Sequence, residues 1–289
     1  MKLNVSAAKT FLTDQLDWYY AFHLRRVPRA PVMPLALGTV WHILMEYYAR
    51  TKSKDEAKRQ AQMEINEILV ETNDIPQDWV NEFQNEVEML FNLFDLYEDR
   101  FSPDETLLIE EPIEMPLGVH TLVGRPDRVI RYQGKLWHVQ NRTLSDRTNI
   151  PIYLAGAERD LHELAYAAMI CHKYGVETAQ YGGTLMNIVR KVSKKKLAEA
   201  PDAAFVKEFI PIQVDQIQDG IGDLEQIACD MAAIIAGGRR PISNRDQDKG
   251  RFGNKLSAYF LVKMGRISID DDTHFKTVKD RYEPEVAAE

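Results

Sequence analysis

A strand–turn–strand pattern in residues 122–143, LVGRPDRVIRYQGKLWHVQNRT, constrains the fold of this chain more than any other feature. Apolar residues form one run within 122–130 and a second within 136–139, on either side of Gln133-Gly134. A glycine that follows a polar residue between two such runs is typical of a tight hairpin turn. We therefore predict two paired antiparallel strands joined at Gln133-Gly134.

Three polar or charged side chains lie within this apolar setting. Asp127 follows Gly124 and Pro126 in the first run, whereas Gln140 and Arg142 alternate along the second strand and therefore share one face. Strand pairing could bring all three side chains together. The simplest interpretation is a half-exposed hairpin whose outer face is solvated. The alternative is a functional site, because a charged cluster on paired strands is costly to bury without a partner.

A second candidate lies in residues 37–49, LGTVWHILMEYYA, which have helical spacing. His42 and Glu46 are four residues apart and therefore share one helix face. As an isolated pair they are typical of an ordinary helix surface. The basic run at residues 190–196, RKVSKKK, has two equally compatible interpretations. It could be a solvated loop, or it could contact the backbone phosphates of a nucleic acid.

Composition excludes several classes of protein. The chain has 289 residues, of which 45% are hydrophobic and 28% charged, as is typical of an ordinary globular protein. No apolar run has the length of a membrane span, and the first residues lack a signal-peptide core. Two cysteines are too few for a disulfide framework. The sequence has no phosphate-binding glycine loop, zinc spacing or helicase motif, and its net charge of −8 argues against nonspecific coating of nucleic acid.

Two segments together resemble the RecB-type branch of the PD-(D/E)XK nuclease superfamily. The run Gly124-Arg125-Pro126-Asp127-Arg128 resembles the Gly-x-x-Asp-Arg strand of that branch, and Gln140-Asn141-Arg142-Thr143 lies where its Asp/Glu-x-Lys-Thr strand follows. The helix with Gly38, His42 and Glu46 resembles the branch's metal-binding Gly-x-x-x-His-x-x-x-Glu helix. Two positions depart from the pattern, because Gln140 replaces the acid and Arg142 replaces the lysine.

The resemblance implies an α/β fold with a restriction-endonuclease-like core, in which helices flank a central mixed sheet and a helical segment is inserted. We therefore predict a single nuclease domain over residues 1–269, followed by a tail at 270–289. Within that domain we assign residues 51–103 to a helical arm, 104–213 to the core sheet and 214–269 to a C-terminal helical wrap.

The resemblance also implies a divalent metal site that binds Mg²⁺ or Mn²⁺. His42 and Asp127 would be ligands, Gln140 would contribute a neutral carbonyl oxygen, and a glutamate near the preceding strand would complete the set. We take Glu111 as that ligand, although the sequence does not separate it from Glu110.

The predicted catalytic residues are Asp127, Gln140 and Arg142. A glutamine can bind Mg²⁺ through its oxygen, but it removes one negative charge from the site. Arg142 keeps the positive charge of the missing lysine and could clamp a phosphate with two hydrogen bonds. It is a poor base, because a guanidinium does not readily lose a proton. The resemblance therefore implies a weakened site rather than a deleted one.

Contacts to DNA are predicted on a helix and on the basic run. The family has a Gln-x-x-x-Tyr helix beside its active site, and a later amphipathic segment of this chain has histidine and tyrosine at the two motif positions. The predicted DNA-binding residues are therefore Tyr166, His162, Lys191, Lys194 and Lys195.

An iron–sulfur cluster is not expected. The N-terminal cluster cysteine of the family falls on Asp14, and the tail segment with Pro241 and Asn244, which resembles the family's other cysteine segment, has no cysteine. We therefore predict that aromatic and apolar packing replaces a cluster, through Tyr259, Phe260 and Leu261.

The resemblance predicts a metal-dependent DNA nuclease, in particular an exonuclease that hydrolyses phosphodiester bonds at DNA ends or in single strands during recombination, repair or phage DNA processing. The expected partners are DNA and a helicase or recombination protein, because the sequence has no motor motif. The expected location is the cytoplasm of a bacterium or a phage-infected host, with no membrane association. The alternative is a catalytically inactive domain of the same fold that binds DNA or a protein partner.

Overall fold

A computed structural model describes residues 1–28, 32–70, 76–99, 103–192, 194–244, 259–264, 266–272 and 274–278, with the backbone alone for Lys194, Phe260 and Leu261. The chain divides into two compact units. The first unit comprises residues 1–30, 114–124 and 221–289, and the second comprises residues 31–113 and 125–220.

The described strands are β1 (Lys2–Asn4), β2 (Arg26–Pro28), β3 (Glu105–Ile109), β4 (Ile113–Leu117), β5 (His120–Gly124), β6 (Arg128–Tyr132), β7 (Lys135–Ser145), β8 (Tyr181–Lys191), β9 (Phe205–Pro211) and β10 (Phe275–Thr277). The described α-helices are α1 (Val5–Thr13), α2 (Gln15–Trp18), α3 (Met33–Thr51), α4 (Lys54–Val70), α5 (Gln77–Leu96), α6 (Ile150–Ala157), α7 (Leu161–Tyr174), α8 (Lys194–Glu199), α9 (Val214–Ile235) and α10 (Phe260–Lys263). None of the described helices combines the length and the apolar character that a membrane span requires.

The second unit is built on a five-stranded sheet with the strand order β3-β6-β7-β8-β9. β7 and β8 are parallel, whereas the other neighbouring strands are antiparallel. A parallel pair requires a crossover connection, and α6 and α7 lie in that connection between β7 and β8. This mixed sheet between helices confirms the predicted α/β fold class.

The predicted hairpin turn is confirmed. β6 and β7 pair up to the turn, where Gln133 and Gly134 have φ values of 50° and 75°. Positive φ at both central residues is typical of a type I′ turn, whose twist matches that of the flanking strands. The first strand differs from the prediction, because residues 122–130 are not continuous: β5 ends at Gly124 and β6 begins at Arg128, in a different sheet.

The interruption between β5 and β6 has a physical cause. Pro126 has no backbone N–H to donate, and its ring restricts the residue before it, so this segment leaves the ladder. Asp127 therefore lies on a short connection at the start of β6, where it is buried.

Helices cover both faces of the five-stranded sheet. On one face, α3, α4 and α5 share a buried cluster that includes Trp41, Phe94 and, from β8, Val189. On the other face, residues of α6 pack against Met186 and Ile188 of β8. The twofold alternation of side chains along a strand explains why one strand serves both clusters. The segment assigned as a helical arm thus packs against the sheet, and the division into a single domain and a tail stays a prediction.

In the first unit, a buried carboxylate joins distant parts of the sequence. Asp14 caps α2 and is 2% exposed. It accepts hydrogen bonds from Ser243 Oγ at 3.2 Å, from the backbone N–H of Asn244 at 2.7 Å and from Lys263 Nζ at 2.9 Å. Lys263 also pairs with Asp17 at 2.8 Å. An ion pair therefore adds to the packing that was predicted for the tail.

Tyr259 packs against other aromatic and backbone groups of the first unit, as was predicted for the tail. Its ring stacks on Phe275 with centroids 5.7 Å apart, and its hydroxyl donates to the carbonyl oxygen of Arg26 at 2.8 Å. The side chains of Phe260 and Leu261 lie outside the described residues.

Candidate metal centre

Three side chains of the second unit converge at one point. His42 is on α3, Glu110 follows β3 and Asp127 precedes β6. Nδ1 of His42 lies 3.7 Å from Oε1 of Glu110 and 3.5 Å from Oδ1 of Asp127, so His42 faces both carboxylates. One ligand atom of each residue lies within 4.8 Å of the other two. In the part of the chain that the structure describes, this is the one group of three His, Cys, Asp or Glu side chains that could share a metal ion. A single divalent cation could contact all three atoms.

The second oxygen of each carboxylate is held by the protein. Asp127 Oδ2 accepts a hydrogen bond from the backbone N–H of Asn141 on β7 at 2.6 Å. Glu110 Oε2 pairs with Nε of Arg125 at 3.1 Å. Because these contacts engage one oxygen of each carboxylate, the other oxygen is directed toward His42, as outer-shell partners of metal ligands commonly arrange. The carboxylates are therefore oriented before any cation binds.

Glu110, and not the predicted Glu111, is the glutamate that the structure brings to this cluster. Its φ of 50° is uncommon for a residue other than glycine and marks local strain. Its backbone N–H donates to the carbonyl oxygen of Asp127 at 3.1 Å, and Arg50 donates to the preceding carbonyl of Ile109 at 2.7 Å. These bonds hold the end of β3 so that Glu110 turns inward, while Glu111 is exposed. Strand alternation alone does not predict this turn of the backbone.

Glu46 contributes to the same support. Its Oε1 accepts hydrogen bonds from Nε and Nη2 of Arg50 at 3.2 and 3.1 Å. Because Arg50 in turn holds the end of β3, the glutamate that follows His42 by one helical turn positions the backbone beside Glu110.

The charges in the cluster favour a bound cation. Burial raises the pKa of Glu110, and the charge of Asp127 raises it further, against the opposing effect of His42. Burial lowers the pKa of His42, but Asp127 and Glu110 outweigh this effect and raise the pKa above its ordinary value. Carboxylates that repel each other in a buried place are stabilised by a positive ion between them. Two carboxylate oxygens and one imidazole nitrogen therefore fit a divalent metal ion.

Gln140 and Arg142 share one face of β7, as predicted, and Gln140 contacts Glu163 there. In the amide orientation that satisfies both ends of the side chain, Gln140 Nε2 donates to Glu163 Oε1 at 3.0 Å. Gln140 Oε1 accepts hydrogen bonds from Nη1 and Nη2 of Arg142 at 3.2 and 3.0 Å. The carbonyl oxygen that was predicted to bind a metal is thus engaged by the guanidinium. A ligand role for Gln140 would require it to leave Arg142.

Arg142 is held in its charged form. Burial lowers the pKa of its guanidinium, but Tyr153, Asp127, Glu163 and Asp160 together raise that pKa above its ordinary value. Since an arginine in this state has only donors, it can bind a phosphate but cannot accept a proton.

The two residues predicted to contact DNA on α7 are largely buried. His162 packs edge-on against Tyr166 with ring centroids 4.6 Å apart. Tyr166 donates from its hydroxyl to the carbonyl oxygen of Arg125 at 3.1 Å, and so holds the connection that carries Asp127. Burial lowers the pKa of His162 despite the opposing effect of Glu163. A direct contact of either residue with DNA stays a prediction.

The basic residues predicted to contact DNA have carboxylate neighbours. Nζ of Lys191 lies 2.8 Å from Oε2 of Glu86, and Nζ of Lys195 lies 4.0 Å from Oε1 of Glu199. The side chain of Lys194 lies outside the described residues. A phosphate would have to compete with these carboxylates, so the role of the basic run in DNA binding stays a prediction.

Sequence reasoning did not identify three residues that shape this site. Arg125 and Asn141 lie inside the two motif segments, and their position beside Asp127 and Gln140 was the available signal. Glu163 gave a different signal, because it is an acidic residue in the apolar stripe of α7.

Comparison with known proteins identifies the family. A family model described as the PD-(D/E)XK nuclease superfamily matches residues 2–247. The match covers most of the sequence, and the chain therefore belongs to the PD-(D/E)XK nuclease superfamily. Nucleases of this superfamily use divalent metal ions and act on nucleic acid, which agrees with the donor set described above. A search of curated proteins finds no match.

Solved structures with a similar fold are also found. A protein from Eubacterium rectale named "Putative exonuclease" is 13% identical, with a TM-score of 0.52 over 89% of this chain and 89% of that chain. The protein SSO0001 is 12% identical, with a TM-score of 0.29 over 82% of this chain and 87% of that chain. At these identities the first similarity shows a shared fold and nothing more. The second similarity is too weak to support any conclusion about this chain.

Proposed function

We propose that this protein is a divalent-metal-dependent deoxyribonuclease of the RecB-type branch, and that it acts as an exonuclease on DNA ends or single strands. The observation that carries the proposal is the partly buried cluster of His42, Glu110 and Asp127, with one ligand atom of each within 4.8 Å of the others. Membership of the superfamily supports a nucleic acid substrate. The preoriented carboxylates favour the binding of a cation that would take part in hydrolysis of that substrate.

His42, Glu110 and Asp127 would hold Mg²⁺ or Mn²⁺, which would supply Lewis acidity toward the scissile phosphate and toward the attacking water. Arg142 would bind a nonbridging phosphate oxygen and stabilise the negative charge that develops there. Because Arg142 cannot accept a proton, the attacking water would lose its proton to solvent or to a substrate oxygen.

The cellular role follows from the RecB-type resemblance and belongs to the same proposal. An exonuclease without a motor of its own would work with a helicase or recombination protein, in recombination, repair or phage DNA processing. That work would take place in the cytoplasm of a bacterium or a phage-infected host.

The test is hydrolysis of end-labelled DNA by the wild-type chain and by Asp127→Asn. Linear single-stranded, linear double-stranded and covalently closed circular DNA are each incubated with Mg²⁺, Mn²⁺ or EDTA. An exonuclease would degrade linear DNA with either metal, spare the closed circle and be inactive in EDTA. Cutting of the circle would contradict the exonuclease assignment, and equal cutting by Asp127→Asn would contradict the metal site.

A catalytically inactive DNA- or protein-binding module is the second candidate. The observation that favours it is the engagement of Gln140 Oε1 by Arg142, which leaves the superfamily's second acid without an equivalent oxygen on β7. Binding of DNA without hydrolysis under every metal condition, together with an unchanged affinity in Asp127→Asn, would support this candidate and contradict the first.

A further inference from the structure

The carboxylate of Glu163, which lies on α7 next to Gln140 of β7, has no role in the proposed mechanism. The side chain of Glu163 is 3% exposed, and each of its oxygens has two hydrogen-bond partners. Oε2 contacts His138 Nδ1 at 3.2 Å and Thr184 Oγ1 at 2.9 Å. Oε1 contacts His162 Nδ1 at 3.4 Å and Gln140 Nε2 at 3.0 Å. A carboxylate with four partners has no oxygen left for a metal ion, so Glu163 is an anchor for donors.

The charge state of Glu163 agrees with that geometry. Burial raises the pKa of the carboxyl group, but the hydrogen bonds from His138 and His162 outweigh burial and keep the pKa well below its ordinary value. An ionised carboxylate only accepts hydrogen bonds, so Nδ1 of each histidine must carry the proton.

The anchor determines how Gln140 is oriented. A primary amide has a donor end and an acceptor end, and Glu163 can accept only from the donor end. The carbonyl end must therefore point away from Glu163, where it accepts both hydrogen bonds from Arg142. If the amide were reversed, its N–H groups would face the guanidinium, and neither group could accept.

We propose that Glu163 is a positioning residue that fixes Arg142 through Gln140 and thereby presents the guanidinium to the phosphate of a bound DNA strand. The inference rests on the proposed function for the identity of the substrate. It also explains why glutamine is compatible with position 140, since a glutamate there would place a second carboxylate about 3 Å from Glu163.

The first test is a mutant cycle that measures DNA binding without catalysis. Binding of a fluorescein-labelled single-stranded oligonucleotide in EDTA is followed by fluorescence anisotropy for wild type, Glu163→Gln, Arg142→Ala and the double variant. We expect Glu163→Gln to weaken binding by about 10-fold, as is typical for loss of an orienting partner. In the Arg142→Ala background the same change should have almost no effect, because its target is gone. Equal effects in both backgrounds, or no effect of Arg142→Ala, would overturn the proposal.

The second test exchanges the two polar groups. Gln140→Glu alone should weaken binding, because it opposes two carboxylates. Glu163→Gln added to that variant moves the single carboxylate to position 140, where it can accept from both Arg142 and the new amide. Recovery to within about threefold of wild type is expected. A Gln140→Glu variant that binds DNA as well as wild type would contradict the proposed anchor.

Thr184→Val is the matched control. It removes one hydrogen bond from Oε2 of Glu163 and leaves the Oε1 contact with Gln140 in place. If Glu163 only stabilised the fold, Thr184→Val would lose as much affinity for DNA as Glu163→Gln does. The two variants are compared at equal folded fraction, as judged by circular dichroism. If Thr184→Val keeps the wild-type affinity for DNA, the result supports the proposal that Glu163 positions Arg142 through Gln140.

The same variants separate this inference from the proposed function. If wild type hydrolyses DNA in an Asp127-dependent way but the effects of Glu163 and Arg142 are additive, the positioning role is wrong and the nuclease assignment stands. If the coupling is present and no metal supports hydrolysis, the nuclease assignment is wrong and the positioning role stands.

Discussion

Two buried sets of carboxylates in the second unit have opposite surroundings. At the candidate metal centre, Glu110 and Asp127 each have one oxygen tied to the protein and one directed at His42. Their mutual repulsion adds to burial in raising the pKa of Glu110. Behind β7, Glu163 has both oxygens fully engaged, and its pKa is lowered. The difference indicates that the number of fixed donors around a buried carboxylate, more than its burial, sets the direction in which its pKa shifts.

The largest effect is expected at the candidate metal centre itself. Asp127→Asn removes one negative charge from the proposed ligand set, so DNA hydrolysis should fall by about 10²- to 10³-fold. Wild type should also gain thermal stability with Mn²⁺, by about 2.7 kcal/mol at a concentration 100 times the dissociation constant. Calorimetry with and without Mn²⁺ measures this gain. A variant that keeps the whole gain would show that Asp127 is not a ligand.

Two neighbouring glutamates differ in their position relative to His42. Glu110→Gln should lower hydrolysis by about 10²-fold and reduce the stabilisation by Mn²⁺, because it removes a charge that faces His42. Glu111→Gln is the matched control, since the same chemical change is made one residue away on an exposed side chain. Steady-state rates over a Mn²⁺ titration measure both variants. A larger loss in Glu111→Gln would restore the ligand choice made from the sequence.

Asp14 in the first unit is a buried carboxylate with a lysine partner. Asp14→Asn should lower the free energy of unfolding by about 2 kcal/mol at neutral pH, because Lys263 and several N–H donors lose a buried charged acceptor. Urea denaturation monitored by circular dichroism measures this loss. No loss at neutral pH would show that the ion pair contributes nothing to stability.

The pH dependence of the Asp14 contribution has a defined sign. Burial raises its pKa, but hydrogen bonds from Lys263, Asp17 and Asn244 outweigh burial and lower the pKa below the ordinary value of 3.8. The contribution to stability is therefore complete above pH 3.8 and disappears as the pH falls through the lowered, folded-state value. Wild type and Asp14→Asn should thus converge in stability at the acid end of a urea series. A difference that grows toward low pH would contradict this assignment.

The smallest effect is expected at Thr184. Thr184→Val removes one of four contacts to Glu163 and keeps the volume of the side chain, so the free energy of unfolding should fall by about 1 kcal/mol. The same urea experiment measures it. A loss larger than that of Asp14→Asn would contradict the small contribution expected for this single donor to Glu163.

Local chemistry was sufficient for several features of this protein. The Gln133-Gly134 turn, the helix that carries His42 and the placement of Gln140 and Arg142 on one strand face follow from residue type and spacing. The same reasoning joined residues 122–130 into one strand, because an apolar pattern does not show that a proline segment will separate two sheets.

Other features depended on neighbours that are distant in sequence. Glu110 and Glu111 have the same side chain and adjacent positions. Only the left-handed backbone at Glu110, held by contacts from α3 and from the carbonyl oxygen of Asp127, turns one of them inward. The chemistry of Gln140 likewise depends on Glu163, which reaches it from another element. Residue types and their periodicity predict which faces of an element are polar. Tertiary packing decides which polar groups on those faces meet, because hydrogen bonds and charges act over a few ångströms between elements that the sequence separates.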